Sequence, residues 1–325
     1  MLITTLSIAL AEVSIASSPW GLVFPPAWLL LVPVYGAQPL LVAVIVLRHG
    51  RRPTLTALWC AGVVMGLYEF YITQVLWTPP WVDPPYVTLI DPTTFVVVSM
   101  FWHPFVATIL PIVLAEQIMA REPRLAGLFP RRIRAFGRRG RWVALVFLAV
   151  VSGGMYGQVL PAWTAIALGV SALVVWGVVV WARRAGPVED FAAEALPNRA
   201  GVRWIVAILV VFFGIFIVVA NTSEPVSGAR QLAAVVCYAF FVLLAWRNLR
   251  HRRVAPTTRL AALPVGVWPA VAYVAIASAM ALTPVFPTVV ATVAVWVVGG
   301  ATALTMFGLA VVGAIRRRES YPGSA

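Results

Sequence analysis

No lysine occurs anywhere in the 325 residues. That absence excludes a retinal Schiff base, which needs a lysine amine, and a Walker-A loop, whose lysine reaches the nucleotide phosphates. Charge of either sign is scarce: 11% of residues, against about 25% in soluble domains, which argues against a water-soluble fold. Only two cysteines are present, Cys60 and Cys237, in separate apolar stretches. They form no CxxC pair and no metal-ligand spacing, so they read as small buried hydrophobes. No arginine precedes the first apolar run, so the basic start of a secretory signal is also missing.

What is present is apolar. Hydrophobic residues make up 62% of the chain, and mean hydropathy is +0.93. Runs long enough to cross a bilayer recur along its length. Windowing places them at Ala27–Leu47, Leu55–Trp77, Phe95–Met119, Trp142–Leu160, Ala162–Ala182, Trp204–Asn221, Gln231–Trp246, Val265–Thr283 and Thr288–Ile315. Leu2–Ser17 is a short tenth candidate that contains Glu12. The expected fold is all-α: a polytopic transmembrane bundle of nine long helices plus that short N-terminal one.

The basic residues, all arginine, test the layout. With strict alternation of the spans, 23 of the 24 fall in loops on one side, and Arg230 alone falls on the other. The positive-inside rule then puts those loops and the C-terminus in the cytoplasm. The net charge of +13 is therefore a topology signal and not a nucleic-acid signature. In the loop after Met119, apolar side chains such as Leu128, Phe129 and Phe136 alternate with arginines. Arg131, Arg132, Arg138 and Arg139 are placed to meet anionic lipid headgroups. The bias towards Arg, Ala, Val, Gly and Pro suggests a GC-rich bacterial genome, hence a bacterial plasma (inner) membrane.

The chain divides by chemistry. Residues 1–119 hold every acid and the one histidine that fall within apolar runs. Residues 120–141 are a basic loop, and residues 142–325 form an apolar module with a basic tail. Within the first part, Glu69 lies inside Leu55–Trp77 and His103 inside Phe95–Met119. An ionised carboxylate at that depth costs roughly 2.5–3.5 kcal/mol on insertion scales, so it calls for a partner or a function. At about 1.5 Å rise per residue, both groups lie roughly 12 Å below the outer boundary, on consecutive antiparallel helices. Glu12, Tyr35, Tyr71 and Thr73 are the other candidates at this site, with Thr73 one helical turn from Glu69. Pro33, Pro39, Pro104 and Pro111 interrupt the surrounding helices and free backbone carbonyls. The outer loop Thr78–Thr94 is rich in proline and carries Asp83 and Asp91 as a candidate entrance.

Three functions fit these features. Buried Glu and His that exchange a proton suit a transporter or permease. An intramembrane enzyme would use Glu69 as general base or metal ligand. A non-catalytic membrane partner or assembly factor would use the apolar second half as packing surface. Tyr68–Glu69 is not the paired-glutamate motif of the CAAX-type membrane proteases, and two-histidine haem ligation lacks a second buried histidine. No cofactor or specific metal follows from the spacing.

Overall fold

The computed structural model describes residues 1–48, 53–73, 89–130, 138–223, 227–249, 267–283, 289–290 and 293–315. Within them the chain folds as helices and no strand. In a bilayer core each backbone N–H and C=O must find its partner within the protein, which a helix provides along its own length. In chain order we label them α1 (Leu2–Val13), α2 (Pro25–Leu47), α3 (Leu55–Thr73), α4 (Thr94–Met119) and α5 (Arg138–Val159). The remaining five are α6 (Pro161–Arg184), α7 (Arg199–Ser223), α8 (Gly228–Leu249), α9 (Val267–Ala281) and α10 (Ala294–Ile315).

The expected class holds, with a correction to the count. Seven helices among the described residues are long and apolar enough to cross a membrane: α2, α4, α5, α6, α7, α8 and α10. Within the described residues the apolar stretches of α1, α3 and α9 are shorter, so seven such spans stand there against the nine expected. Expected positions such as Trp77, Asp83, Arg131 and Arg132 lie outside the described residues.

Local signals explain several ends. Pro25 and Pro26 open α2, where a missing N–H costs nothing. The Asp91 carboxylate accepts from the Thr94 N–H at 2.6 Å and caps the start of α4. Gly186, at φ 86°, supplies the left-handed residue just after α6.

The helices differ in depth. About two thirds of the apolar window is buried in α2 (67%) and α4 (61%), but only 6% in the corresponding window of α7. Thus α2 and α4 are central, and α7 offers its side chains to lipid. One buried cluster runs from Leu2 to Ala314 and includes Leu58, Trp59, Leu67, Ile109 and Ile112. Against it, α3 packs on α4 and α8.

The α3–α4 contact is a close one. A Cβ added at Gly62 would lie 2.6 Å from the Pro104 Cα, and one at Gly66 would lie 2.9 Å from the His103 Cβ. Gly62 and Gly66 are therefore a small-xxx-small pair that lets two backbones approach. Polar side chains of neighbouring helices reach carbonyls beside the prolines of α4. The Met100 carbonyl, one turn before Pro104, accepts from the Trp59 indole at 2.7 Å. The Ala107 carbonyl, four residues before Pro111, accepts from the Ser7 hydroxyl at 2.6 Å. Replacing Trp59 with phenylalanine keeps most of the ring but removes this buried bond to the Met100 carbonyl. The expected cost is about 1–3 kcal/mol, read as a lower unfolding temperature in detergent.

Loop contacts fall into two sets. Arg48, at the end of α2, donates through its guanidinium to the carbonyls of Ala192, Ala193, Leu196 and Pro197 in the loop after α6. In the loop after α4, the Arg121 N–H donates to the Val188 carbonyl at 2.9 Å, and the Arg121 side chain meets Glu189 at 2.5 Å. At the start of α3, Thr56 donates to Asn248 at the end of α8. Trp20, before α2, and Trp163, in the first turn of α6, meet edge to face with centroids 6.5 Å apart. Arginine-bearing loops thus touch one another at one end, and this tryptophan pair joins the connection before α2 to the start of α6 at the other.

Candidate functional site

Three helices bring Glu69, His103 and Tyr35 into contact. Glu69 Oε2 lies 3.1 Å from His103 Nδ1, with the side chains 14% and 5% exposed. Tyr35 donates its hydroxyl to Glu69 Oε1 at 2.8 Å. The Tyr35 and His103 rings stack, with centroids 5.9 Å apart and planes inclined by 19°. The carboxyl group is thus held at both oxygens by different partners.

The backbone explains how these groups converge. Tyr35 lies on the π-helical turn Pro33–Ala37, His103 on the π-helical stretch Thr94–Ile109, and Glu12 on the π-helical turn Ala9–Val13. A π turn widens the helix and re-aims its side chains, and such turns are frequent at functional sites. Pro33 opens one of these segments and Pro104 lies inside another. The prolines therefore accompany wide turns rather than simple breaks. Gly66, three residues before Glu69, removes the side chain that would hold His103 away.

Glu12 joins from α1. Its carboxyl group lies near enough to the Tyr35 hydroxyl and Glu69 to act on both electrostatically. Ser17 donates to Glu12 Oε2 at 2.6 Å. Ala16, at φ 59°, turns the chain back to make that contact possible.

The other candidates are placed elsewhere. Tyr71 packs against Phe213, with centroids 5.4 Å apart. Thr73 ends α3, with its side chain outside the described atoms, as are the side chains of Arg138 and Arg139. Asp91 is the cap of α4. Glu116 has a structural role: its two oxygens accept from the N–H groups of Arg124 and Leu125 at 3.0 and 2.8 Å. Glu116→Gln would set an amide N–H₂ against one of those donors. The expected result is faster amide exchange across residues 120–128, with the Glu69–His103 contact intact.

No group of three or more His, Cys, Asp or Glu side chains that could hold a metal ion occurs among the described residues. Two apolar cavities lie near the site, and neither is lined by Glu69, Tyr35 or His103. One, of about 460 Å³, is bounded by α1, α4, α5, α6 and α9. The other, of about 300 Å³, is bounded by α2, α3, α7 and α8.

Sequence reasoning missed Gly62 and Gly66, although a GxxxG spacing in an apolar run is the signal for close helix packing. It also missed Asn248, which is buried and bonds the Leu244 and Ala310 carbonyls through its amide. That residue lies just beyond the expected end of its apolar run, where polar groups read as loop.

The chain belongs to an uncharacterized membrane protein family, whose model matches residues 1–318. An uncharacterized protein of the archaeon Archaeoglobus fulgidus is 37% identical over 156 residues, or 46% of this chain and 47% of that relative. The chain thus matches about half the length of that relative. No solved structure matches the chain.

Proposed function

We propose that this member of an uncharacterized membrane protein family is a proton-coupled transporter or permease, with the coupling proton held by Glu69 and His103. One observation carries the reading: a carboxyl and an imidazole in contact on buried faces of the bundle core. With its proton the pair is either an ion pair, the proton on the imidazole, or a neutral pair, the proton on the carboxyl; without it, a carboxylate faces a neutral imidazole. Low dielectric makes their relative energy sensitive to whatever occupies the surrounding helices. That sensitivity is what couples proton binding to conformation. Residues 1–119 supply the titrating site, and residues 142–325 supply the frame it moves against. The arginine-bearing loops and the C-terminus face the cytoplasm of a prokaryotic plasma membrane, where Arg131, Arg132, Arg138 and Arg139 meet anionic lipid.

The test is proton flux into vesicles reconstituted with the full chain and loaded with a small-solute extract of host cells. Lumenal pyranine fluorescence reports the pH. The expected result is collapse of an imposed pH gradient at least about tenfold faster than in empty vesicles. Flux equal to that of empty vesicles would overturn the reading.

A further inference from the structure

The larger of the two cavities described above lies on a seam of the bundle. Its walls come from α1 and α4, within residues 1–119, and from α5, α6 and α9, later in the chain. Its volume of about 460 Å³ is within the range of ligand-sized pockets. Among the described residues no charged side chain lines it. Of the hydroxyls in its wall, Ser14 donates to the Leu10 carbonyl at 2.6 Å, and Tyr273 pairs with Ser152 at 2.7 Å. An ion or a polar solute would find little there to replace its water. Ala144 and Trp176 in the wall are exposed, so the cavity opens on the outside of the bundle.

The cavity is elongated along the helices. Leu168, Ala172, Val175, Trp176 and Val179 line it at the spacing of a single stripe on α6. From Leu168 to Val179 the helix rises about 16 Å at 1.5 Å per residue. Half of a bilayer core is about 15 Å thick. Ile118, Ala144 and Pro269 line the cavity within two turns of the ends of α4, α5 and α9 that adjoin arginine-bearing segments. The slot therefore occupies the leaflet on the arginine side. Arg183 lies four residues beyond Val179, on the same face of α6, and is exposed. The acids of the loop after α6 are engaged elsewhere: Glu189 by Arg121, and Asp190 and Glu194 by backbone N–H groups.

We propose that this slot holds one chain of an anionic phospholipid from the leaflet on the arginine side, with the phosphate of that lipid at Arg183. The apolar wall takes the chain, and the guanidinium matches the phosphate oxygens. A zwitterionic lipid offers the same chain but offsets its phosphate with its own cation, so the anionic lipid is preferred. Because the walls come from both parts of the chain, the bound lipid bridges them and governs how readily they part. That consequence rests on the transport reading; the lipid site itself does not.

The experiment is native mass spectrometry of the full chain released from detergent, with dioleoyl phosphatidylglycerol and dioleoyl phosphatidylcholine titrated in turn. The wild type is expected to retain one phosphatidylglycerol at least about tenfold more tightly than phosphatidylcholine. Ala172→Phe and Ala144→Phe fill the slot from two different helices. Each is expected to weaken phosphatidylglycerol binding at least about tenfold without lowering the unfolding temperature. Arg183→Gln should bring phosphatidylglycerol down to the affinity of phosphatidylcholine and leave the latter unchanged. If Ala172→Phe fails to fold, Ala144→Phe, at the exposed mouth, decides alone. Equal affinities of the two lipids in the wild type would overturn the site. Undiminished phosphatidylglycerol binding in a folded filling variant would also overturn it, since the lipid would then lie on the outer surface only. If the lipid binds as expected while reconstituted vesicles show no proton flux, the site stands and the transport reading falls. Flux without the lipid preference means the reverse.

Discussion

Glu69→Gln is expected to lower proton-coupled flux by at least about a hundredfold, and the double variant with His103→Gln to be little worse than either single one. Glutamine keeps the shape of the side chain and its bond from the Tyr35 hydroxyl, but it carries no exchangeable acid proton. His103→Gln removes the acceptor that lies 3.1 Å from the carboxyl. If one shared proton is the working unit, loss of either member removes the whole of it, and the energies do not add. Folded yield and unfolding temperature must stay near wild type for the comparison to stand, because breaking a buried polar pair also destabilises. Fully additive losses would mean that the two residues act separately.

Gly62→Leu is expected to be severely damaging to the fold. Its Cβ would sit 2.6 Å from the Pro104 Cα, an atom of the backbone that no rotamer change can move aside. The α3–α4 contact would have to open, and with it the Trp59–Met100 bond and the Glu69–His103 pair. Overpacking of an ordinary core costs about 1–3 kcal/mol, and this backbone clash lies at or above the upper end. Little folded protein should survive detergent extraction. Gly169→Leu, on α6 with nothing within 4 Å of its added Cβ, should be tolerated and serves as the control.

The bundle was legible in the sequence because membrane helices announce themselves twice, by apolar length and by arginine placement. Glu69 and His103 were legible for a related reason: polar groups in such runs are costly, and antiparallel neighbours share depth. Tyr35 was legible as a candidate but not as the hydroxyl that donates to the Glu69 carboxyl. That role depends on the π-helical turn Pro33–Ala37, which no periodicity of 3.6 residues reveals. Thr73 was expected beside Glu69 by helical spacing alone, while the partners of Glu69 come from α2 and α4 through contacts far apart in the chain.

The most direct test of a shared Glu69–His103 proton is the ¹⁵N spectrum of His103 in nanodiscs. His49→Gln and His251→Gln leave it the only histidine signal. Followed against pH, its Nδ1 resonance should titrate in the otherwise wild-type protein. In Glu69→Gln the midpoint should move by at least about one pH unit, equivalent to about 1.4 kcal/mol of coupling. A resonance that titrates identically with and without the Glu69 carboxyl, or that does not respond to pH at all, would contradict the account.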